Sequence, residues 1–189
     1  MIGRLRGLLV SSRESGIVID VTGVGYEVSM TTRDLATLPG IGEEIVVHIH
    51  THVREEEMSL YGFGKEPDRD LFRILLGASG VGPKVAMALL ASMTGDEIVR
   101  AITGEDPEAL TITPGVGKRG AQKIVLELGP KLAGRETEVI GSHSLGGVRQ
   151  ALEGLGYSTV EINSVVTDLD PSEPIEAQVK AALQRLGRP

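Results

Sequence analysis

Two short segments, Ser79-Gly80-Val81-Gly82-Pro83-Lys84 and Pro114-Gly115-Val116-Gly117-Lys118-Arg119, repeat a Gly-Val-Gly core at a spacing of 35 residues. Apolar residues at three- and four-residue intervals flank the first, Leu71, Ile74 and Leu75 before it and Val85, Ala86, Leu89 and Leu90 after it. That spacing lines one face of a helix. A helix, a tight loop and a second helix are therefore written twice, and an internal repeat of this kind governs the architecture around it. Glycine lacks Cβ, so it permits positive φ and lets an outside group come close to the main chain. A helix that starts directly after such a loop offers free N–H groups and the positive end of its dipole, a combination that suits a phosphate. Lys84, Lys118, Arg119 and, one turn on, Lys123 place cations at the same points. Such contacts hold a polyanion without reading its sequence. The expected phosphate-binding set is Gly80, Gly82, Lys84, Gly115, Gly117, Lys118, Arg119 and Lys123, with Val81 and Val116 tucked into the helix pairs.

Neither loop fits a nucleotide-binding P-loop, which requires G-x-x-x-x-G-K-[ST]. Before Gly117-Lys118 the first glycine position holds Ile112, and Arg119 stands where the hydroxyl belongs. The chain is therefore expected neither to bind nor to hydrolyse ATP. A net charge of −7 argues at first sight against nucleic acid, but its distribution does not. Residues 1–64 carry 5 basic and 9 acidic groups, residues 65–135 carry 10 and 9, and residues 136–189 carry 4 and 8. Only the stretch with the glycine loops is basic on balance, so local loops must grip while acidic parts face elsewhere. The absence of cysteine removes disulfides, thiolate zinc sites and thiol nucleophiles and is compatible with a reducing interior. No apolar run approaches the ~18 residues of a membrane span and no leader pattern opens the chain, so a soluble cytoplasmic protein is expected.

The first sixty-odd residues alternate with a period of two. Ile17, Ile19 and Val21 alternate with Val18 and Asp20, and Tyr26, Val28 and Met30 with Glu27 and Ser29, Gly23 and Gly25 supplying the turn between them. From Glu44 to Val53, Ile45, Val47, Ile49, Thr51 and Val53 share one face and Val46, His48, His50 and His52 the other. About five short strands with glycine turns suggest a small antiparallel barrel. The three histidines do not make one metal site, because the outer pair lies roughly 13 Å apart at ~3.3 Å per residue. An exposed or DNA-facing strand surface, able to gain charge below about pH 6.5, is the expectation.

Helical spacing begins at Glu66, so a boundary is expected near Gly62–Lys65, and it continues through Ile98–Ile102, Pro107–Leu110 and Gln122–Leu128. Gly129-Pro130 is expected to stop the last of these helices. The polar stretch KLAGRETEVIGSHS then reads as a linker, and three amphipathic helices follow, carried by Val148 to Leu155, Ile162 to Leu169 and Ile175 to Leu186, the last with Ser172 as N-cap candidate. The expected organisation is a barrel over 1–64, an all-α domain over 65–130, a flexible linker over 131–143 and a three-helix domain over 144–189.

Tandem helix-hairpin-helix motifs behind a small barrel ending in Leu60-Tyr61-Gly62-Phe63, together with the opening Met1-Ile2-Gly3 and the later Leu155-Gly156-Tyr157, resemble the RuvA family over nearly the whole chain. The resemblance implies an OB-fold-like barrel, a double helix-hairpin-helix domain and a UBA-like three-helix domain that docks on the separate ATPase motor RuvB. It implies a non-catalytic subunit without cofactor or metal, which holds four-way junction DNA for branch migration in recombination and repair. It further implies a homotetramer, single or as two tetramers face to face, alongside the RuvC resolvase. An acidic pin in each barrel falls here on Glu55 and Glu56, with Glu57 beside them. Carboxylates at a crossover repel phosphates. Leu169, Ile175, Val179 and Leu183 are the candidate motor contacts.

Two other classes fit less. A base-excision glycosylase or nuclease can also carry such hairpins, but it needs a base-flipping pocket and a second catalytic segment. Downstream of Arg119 only Lys123 and Glu127 stand near the hairpin, and aromatic residues make up 3% of the chain. A plain interaction scaffold with merely structural loops predicts no salt-sensitive DNA binding.

Overall fold

A computed structural model describes residues 1–55, 57–132, 148, 151–152, 154–166, 169 and 175–187. Two compact units divide the chain, Met1–Lys131 and Leu132–Pro189.

The first unit opens with five strands, β1 (Arg4–Arg13), β2 (Gly16–Val21), β3 (Val24–Met30), β4 (Glu44–Val53) and β5 (Met58–Phe63). They close a barrel in the order β1-β2-β3-β5-β4, antiparallel except for the short β3–β5 pairing of Ser29 with Tyr61 and Met30 with Gly62. The alternation seen in the sequence sets the interior: Ile17, Ile19, Val28, Met30, Val47 and Ile49 are buried, joined by Leu5, Leu9 and Leu60. β1 pairs with β4 through Arg4–Leu8 and with β2 through Leu8–Arg13, and a register shift between Leu9 and Ser11 lets one strand serve both neighbours. An extra residue of this kind bends a strand and helps a small barrel close. Gly62 is required at the closure, because a Cβ there would lie 2.4 Å from Val28 Cγ1 and 2.7 Å from Val47 Cγ1.

The β2–β3 turn is Thr22-Gly23, not a turn shared by Gly23 and Gly25. Both turn residues have positive φ, 54° and 88°, as a two-residue hairpin in the right-handed twist demands. Gly25 belongs to β3, opposite Asp20.

The helices of this unit are α1 (Thr32–Leu35), α2 (Glu66–Leu75), α3 (Pro83–Ser92), α4 (Gly95–Thr103), α5 (Pro107–Leu110) and α6 (Lys118–Leu132). Leu71, Leu75, Ala86, Leu89, Ile98, Ile102, Leu110, Ile124 and Leu128 are buried. α4 starts at Gly95, ahead of its apolar run, since Thr94 and Glu97 form a reciprocal capping box that satisfies two end donors.

α6 corrects the expectation of a stop at Gly129-Pro130: it runs through both residues to Leu132. Proline removes the N–H that would reach the carbonyl four residues back, here that of Leu126, whose side chain is 77% exposed, so water can serve that carbonyl instead. The last turn is held by burial of Leu132 and by Lys131 Nζ, which donates to the Gly77 carbonyl at 3.4 Å. Gly129 leaves its helix close to the Ile102 carbonyl, 3.8 Å from where a Cβ would sit. The expected linker therefore loses its first two residues to α6, and positions 133–143 lie outside the described residues.

In the second unit, Val148, Ala151, Leu152 and Gly154 are helical, followed by α7 (Thr159–Val166) and α8 (Ile175–Arg185). Val148, Leu152, Ile162, Val165, Val166, Leu169 and Ala182 form its core, with Tyr157, Val179, Leu183 and Leu186 packed against it. Ser172 lies outside the described residues. Among these residues no helix is long and apolar enough to cross a membrane.

Candidate nucleic-acid interface

Each glycine loop is built on one turn. Val81 N–H donates to the Ala78 carbonyl at 3.1 Å and Val116 N–H to the Thr113 carbonyl at 3.1 Å. The third residue of each four-residue turn is a glycine at positive φ, Gly80 at 85° and Gly115 at 88°, as a type II turn requires. Val81 and Val116 are 8% and 7% exposed and anchor the loops from below. After the turn the chain enters α3 through Gly82 and α6 through Gly117.

The second glycine of each loop has no such backbone reason. Gly82 has extended geometry, φ −92° and ψ 177°, and Gly117 lies outside the positive-φ region. A Cβ at either would meet nothing within 4 Å. The space over these glycines is thus open to an outside group. The first N–H groups of a helix have no intrahelical acceptor, and the two loops use this unequally. Pro83 removes one donor from the start of α3, leaving Gly82 and Lys84. The first helical bond of α6 runs from Ala121 to the Gly117 carbonyl, which leaves Lys118, Arg119 and Gly120 ahead of it.

Lys84, Lys118, Arg119 and Lys123 are all exposed. Lys118 Nζ stands 3.8 Å from Glu108 Oε1 and Lys123 Nζ 3.9 Å from Glu127 Oε1. Solvated pairs of this kind are worth only ~0–1 kcal/mol, so a phosphate can take either lysine at little cost. Among the described residues Lys84 and Arg119 lie within ion-pair distance of no carboxylate.

On the barrel, β4 and β5 extend to Arg54 and Glu57, whose main chains exchange bonds at 2.8 and 3.4 Å. Glu55 follows directly on this pairing, at the hairpin end. Glu55 is exposed there, and Glu56 lies outside the described residues. Glu57 is engaged by the Ser59 hydroxyl, which donates to its carboxylate. Arg54 Nε donates to His52 Nε2 at 3.1 Å.

The histidine face of β4 is not the open surface expected of it. His48, His50 and His52 are half-buried, and the His50 ring lies 5.2 Å from that of Phe72 on α2. The apolar spacing of α2 had to be satisfied against some neighbour, and this strand face is part of it. Burial, with Arg73 and His52 adding like charge, holds His50 below the usual imidazole range. The unfolded chain therefore binds the extra proton more readily than the native one. Stability should fall as pH drops through about 6.5 and level off below the native value of His50. Urea unfolding of the wild type and of His50→Gln between about pH 8 and about pH 5 checks this, with the flatter profile expected for the variant.

The candidate motor contacts are divided by the structure. Leu169 is 7% exposed and belongs to the core of its own unit, Val179 and Leu183 are half-buried against that core, and the Ile175 side chain lies outside the described residues. Leu155, 60% exposed beside the positive-φ Gly156, is the apolar side chain that spacing alone would have placed inside.

Three family models cover the chain in order: the RuvA N terminal domain over residues 1–62, a SAM-like helix-hairpin-helix tandem over 72–131 and the RuvA C-terminal domain over 146–187. A relative from Rubrobacter xylanophilus is 40% identical, covering 99% of this chain and 98% of its own. The chain belongs to the RuvA family. RuvA of Methylibium petroleiphilum is 38% identical over the full length of both chains, and RuvA of Halorhodospira halophila is 37% identical over 98% of this chain and 97% of its own. All three RuvA relatives bear the name Holliday junction branch migration complex subunit RuvA. Both glycine loops, read from their chemistry, lie in the second matched segment, and Glu55, named through the family resemblance, lies in the first.

Proposed function

We propose that this chain is the DNA-holding subunit of a branch-migration complex. Its paired hairpins bind the duplex arms of a four-way junction by their phosphates, in no preferred sequence. The observation that carries this reading is the open space over Gly82 and Gly117 at the starts of α3 and α6, where neither packing nor backbone geometry calls for glycine and a close-approaching phosphate does. Glu55 and Glu56 act at the crossover, repelling phosphates and keeping the arms from folding together. Several copies, as one tetramer or two face to face, surround the junction. The helices after position 144 dock on the RuvB motor, which supplies the ATP hydrolysis, and the RuvC resolvase acts on the same junction. The subunit itself catalyses nothing and works in the cytoplasm.

The test is a mobility-shift titration at fixed salt with a four-way junction and a linear duplex of the same arm sequence. A clear preference for the junction, in bands of several subunits, is expected. Equal weak binding reduces the reading to a generic duplex anchor, and no binding to either overturns it. Replacing Lys84 and Lys118 together by Ala should weaken binding uniformly across sequences and flatten the log–log salt slope by about 0.9 for each phosphate no longer neutralised.

A further inference from the structure

The two loops have the same turn but not the same support. At the second position of the turn the second loop carries Pro114, and the first carries Ser79, 35 residues earlier. Proline sets φ by its ring and has no N–H to satisfy. Ser79 has neither advantage, and its N–H is met from a distance: it donates to Glu127 Oε2 at 2.6 Å, across 48 residues of sequence. Glu127 lies on α6, the helix that leaves the second loop. One turn further along the same helix, Lys131 Nζ reaches the Gly77 carbonyl. α6 thus takes hold of Gly77, just before the turn, and of Ser79 within it, ahead of the Gly82 entry to α3.

We propose that Glu127 is a positioning residue for DNA binding, which does for the first loop through a hydrogen bond what the Pro114 ring does for the second. The inference rests on the reading of both loops as phosphate sites. The carboxylate is held below its usual range, chiefly by the Ser79 N–H, and Lys123 and Lys131 favour the charge as well. It is therefore ionised wherever DNA would be bound. An anion near a phosphate site opposes binding by simple repulsion. Its presence there has a compensating effect on loop geometry. It also ties the first loop to the helix that begins the second, so that α6 serves both loops.

Repulsion and positioning predict different patterns in three variants. Were charge alone at stake, Glu127→Gln and Glu127→Ala would gain affinity alike, each freeing Lys123. Under positioning they diverge: Gln keeps a neutral acceptor for Ser79 and stays within about twofold of the wild type or above it, whereas Ala loses roughly five- to tenfold. The decisive arm is Ser79→Pro in the Glu127→Ala background. Proline at 79 copies the second loop and leaves no N–H to satisfy, so junction affinity should return to within about twofold of the wild type. The loss in Glu127→Ala should also largely vanish when Gly82 is already Val, and persist when Gly117 is Val instead, because only the first loop has been loosened.

A measurement on the free protein separates this inference from the DNA-binding reading. Hydrogen exchange of the Ser79 amide should speed up in Glu127→Ala and change little in Glu127→Gln. Equal exchange in the wild type and Glu127→Ala overturns the proposal, as does equal affinity of the Gln and Ala variants or failure of Ser79→Pro to restore binding. A wild type that binds no DNA, with Ser79 exchange responding as stated, overturns instead the reading on which the inference rests.

Discussion

Replacing Gly82 and Gly117 together by valine is expected to abolish measurable junction binding while leaving the fold intact. The basis is the contrast between the two glycines of each loop. At Gly82 the backbone is extended, a conformation that valine favours and that the following Pro83 also imposes on its neighbour. Among the described residues, no side chain or main chain beyond the immediate chain neighbours comes within 4 Å of a Cβ at either position. The change at a helix entry should cost under ~1 kcal/mol per site, as for other poor N-cap residues. The new isopropyl groups nevertheless stand where a phosphate must come to reach the first amides of α3 and α6. Each blocked amide-to-phosphate bond is worth ~1.5–3 kcal/mol, so two blocked in every subunit lower affinity by about two orders of magnitude or more. The matching change at Gly80 and Gly115 should behave in the opposite way. Valine at φ near 85–88° is strained, at ~1–3 kcal/mol for each residue, so that pair should lower the unfolding midpoint as well as the affinity. Denaturant unfolding and junction titration of both double variants decide the matter. If Gly82→Val with Gly117→Val binds as the wild type does, the open space over those glycines is not a phosphate site.

The loops were legible in sequence because glycine and proline act locally. A Gly-Val-Gly core next to a lysine prescribes a turn and a helix entry without help from the rest of the chain, and the 35-residue repeat removes the ambiguity of a single occurrence. Barrel strands β2 to β4 were legible for a similar reason, since a period of two over Ile17, Ile19, Val28, Met30, Val47 and Ile49 leaves one face to bury. Legibility ended where a residue's role depends on something distant. Nothing in the spacing of Glu127 says that it caps Ser79, although the absence of proline at 79 beside its presence at 114 is a signal that the first loop needs another support. Thr94-x-x-Glu97 is a capping-box pattern, and its start for α4 was open to reading directly.

Gly129-Pro130 misleads for a physical reason. Local rules treat proline as a stop, but the stop costs only what the missing N–H and the carbonyl four residues back cannot recover elsewhere. With Leu126 on the solvent side and Leu132 and Lys131 fixed beyond it, α6 recovers enough to continue. The histidine strand misleads in the same direction. Period-two spacing assigns His48, His50 and His52 to the face away from the barrel core, which is correct, but cannot say that α2 covers that face. The glycine loops lie between helices that are joined to the barrel by that cover. The packing that spacing does not reveal is therefore what fixes the loops relative to the Glu55 hairpin within the same compact unit.

Phe72 is the side chain on which this join depends, and Phe72→Ala should be the most destabilising single change in the first unit. The ring is fully buried and its centroid lies 5.1 Å from Phe63, 5.3 Å from Tyr61 and 5.2 Å from His50. Three of its neighbours thus belong to β4 and β5, while Phe72 itself sits on α2, whose other buried side chains are Leu71 and Leu75. Truncation leaves a ring-sized cavity between helix and barrel, at a cost of ~3–5 kcal/mol. Against a total of ~5–15 kcal/mol for a domain, this is enough to bring the denaturant midpoint close to the working range. Phe72→Leu, which keeps most of the apolar volume, should cost much less. The same truncation has a second, independent signature. Burial is the leading cause of the depressed His50 pKa, so opening a cavity beside that ring lets water in and moves His50 toward its ordinary value. The loss of stability below about pH 6.5 should then be smaller in Phe72→Ala than in the wild type. A Phe72→Ala variant that unfolds within ~1 kcal/mol of the wild type and keeps the full pH slope would mean that α2 is held to the barrel by other contacts. A large loss with a flattened slope would place the join at this ring, and with it the fixed geometry between hairpin tip and phosphate loops that a junction-holding subunit needs.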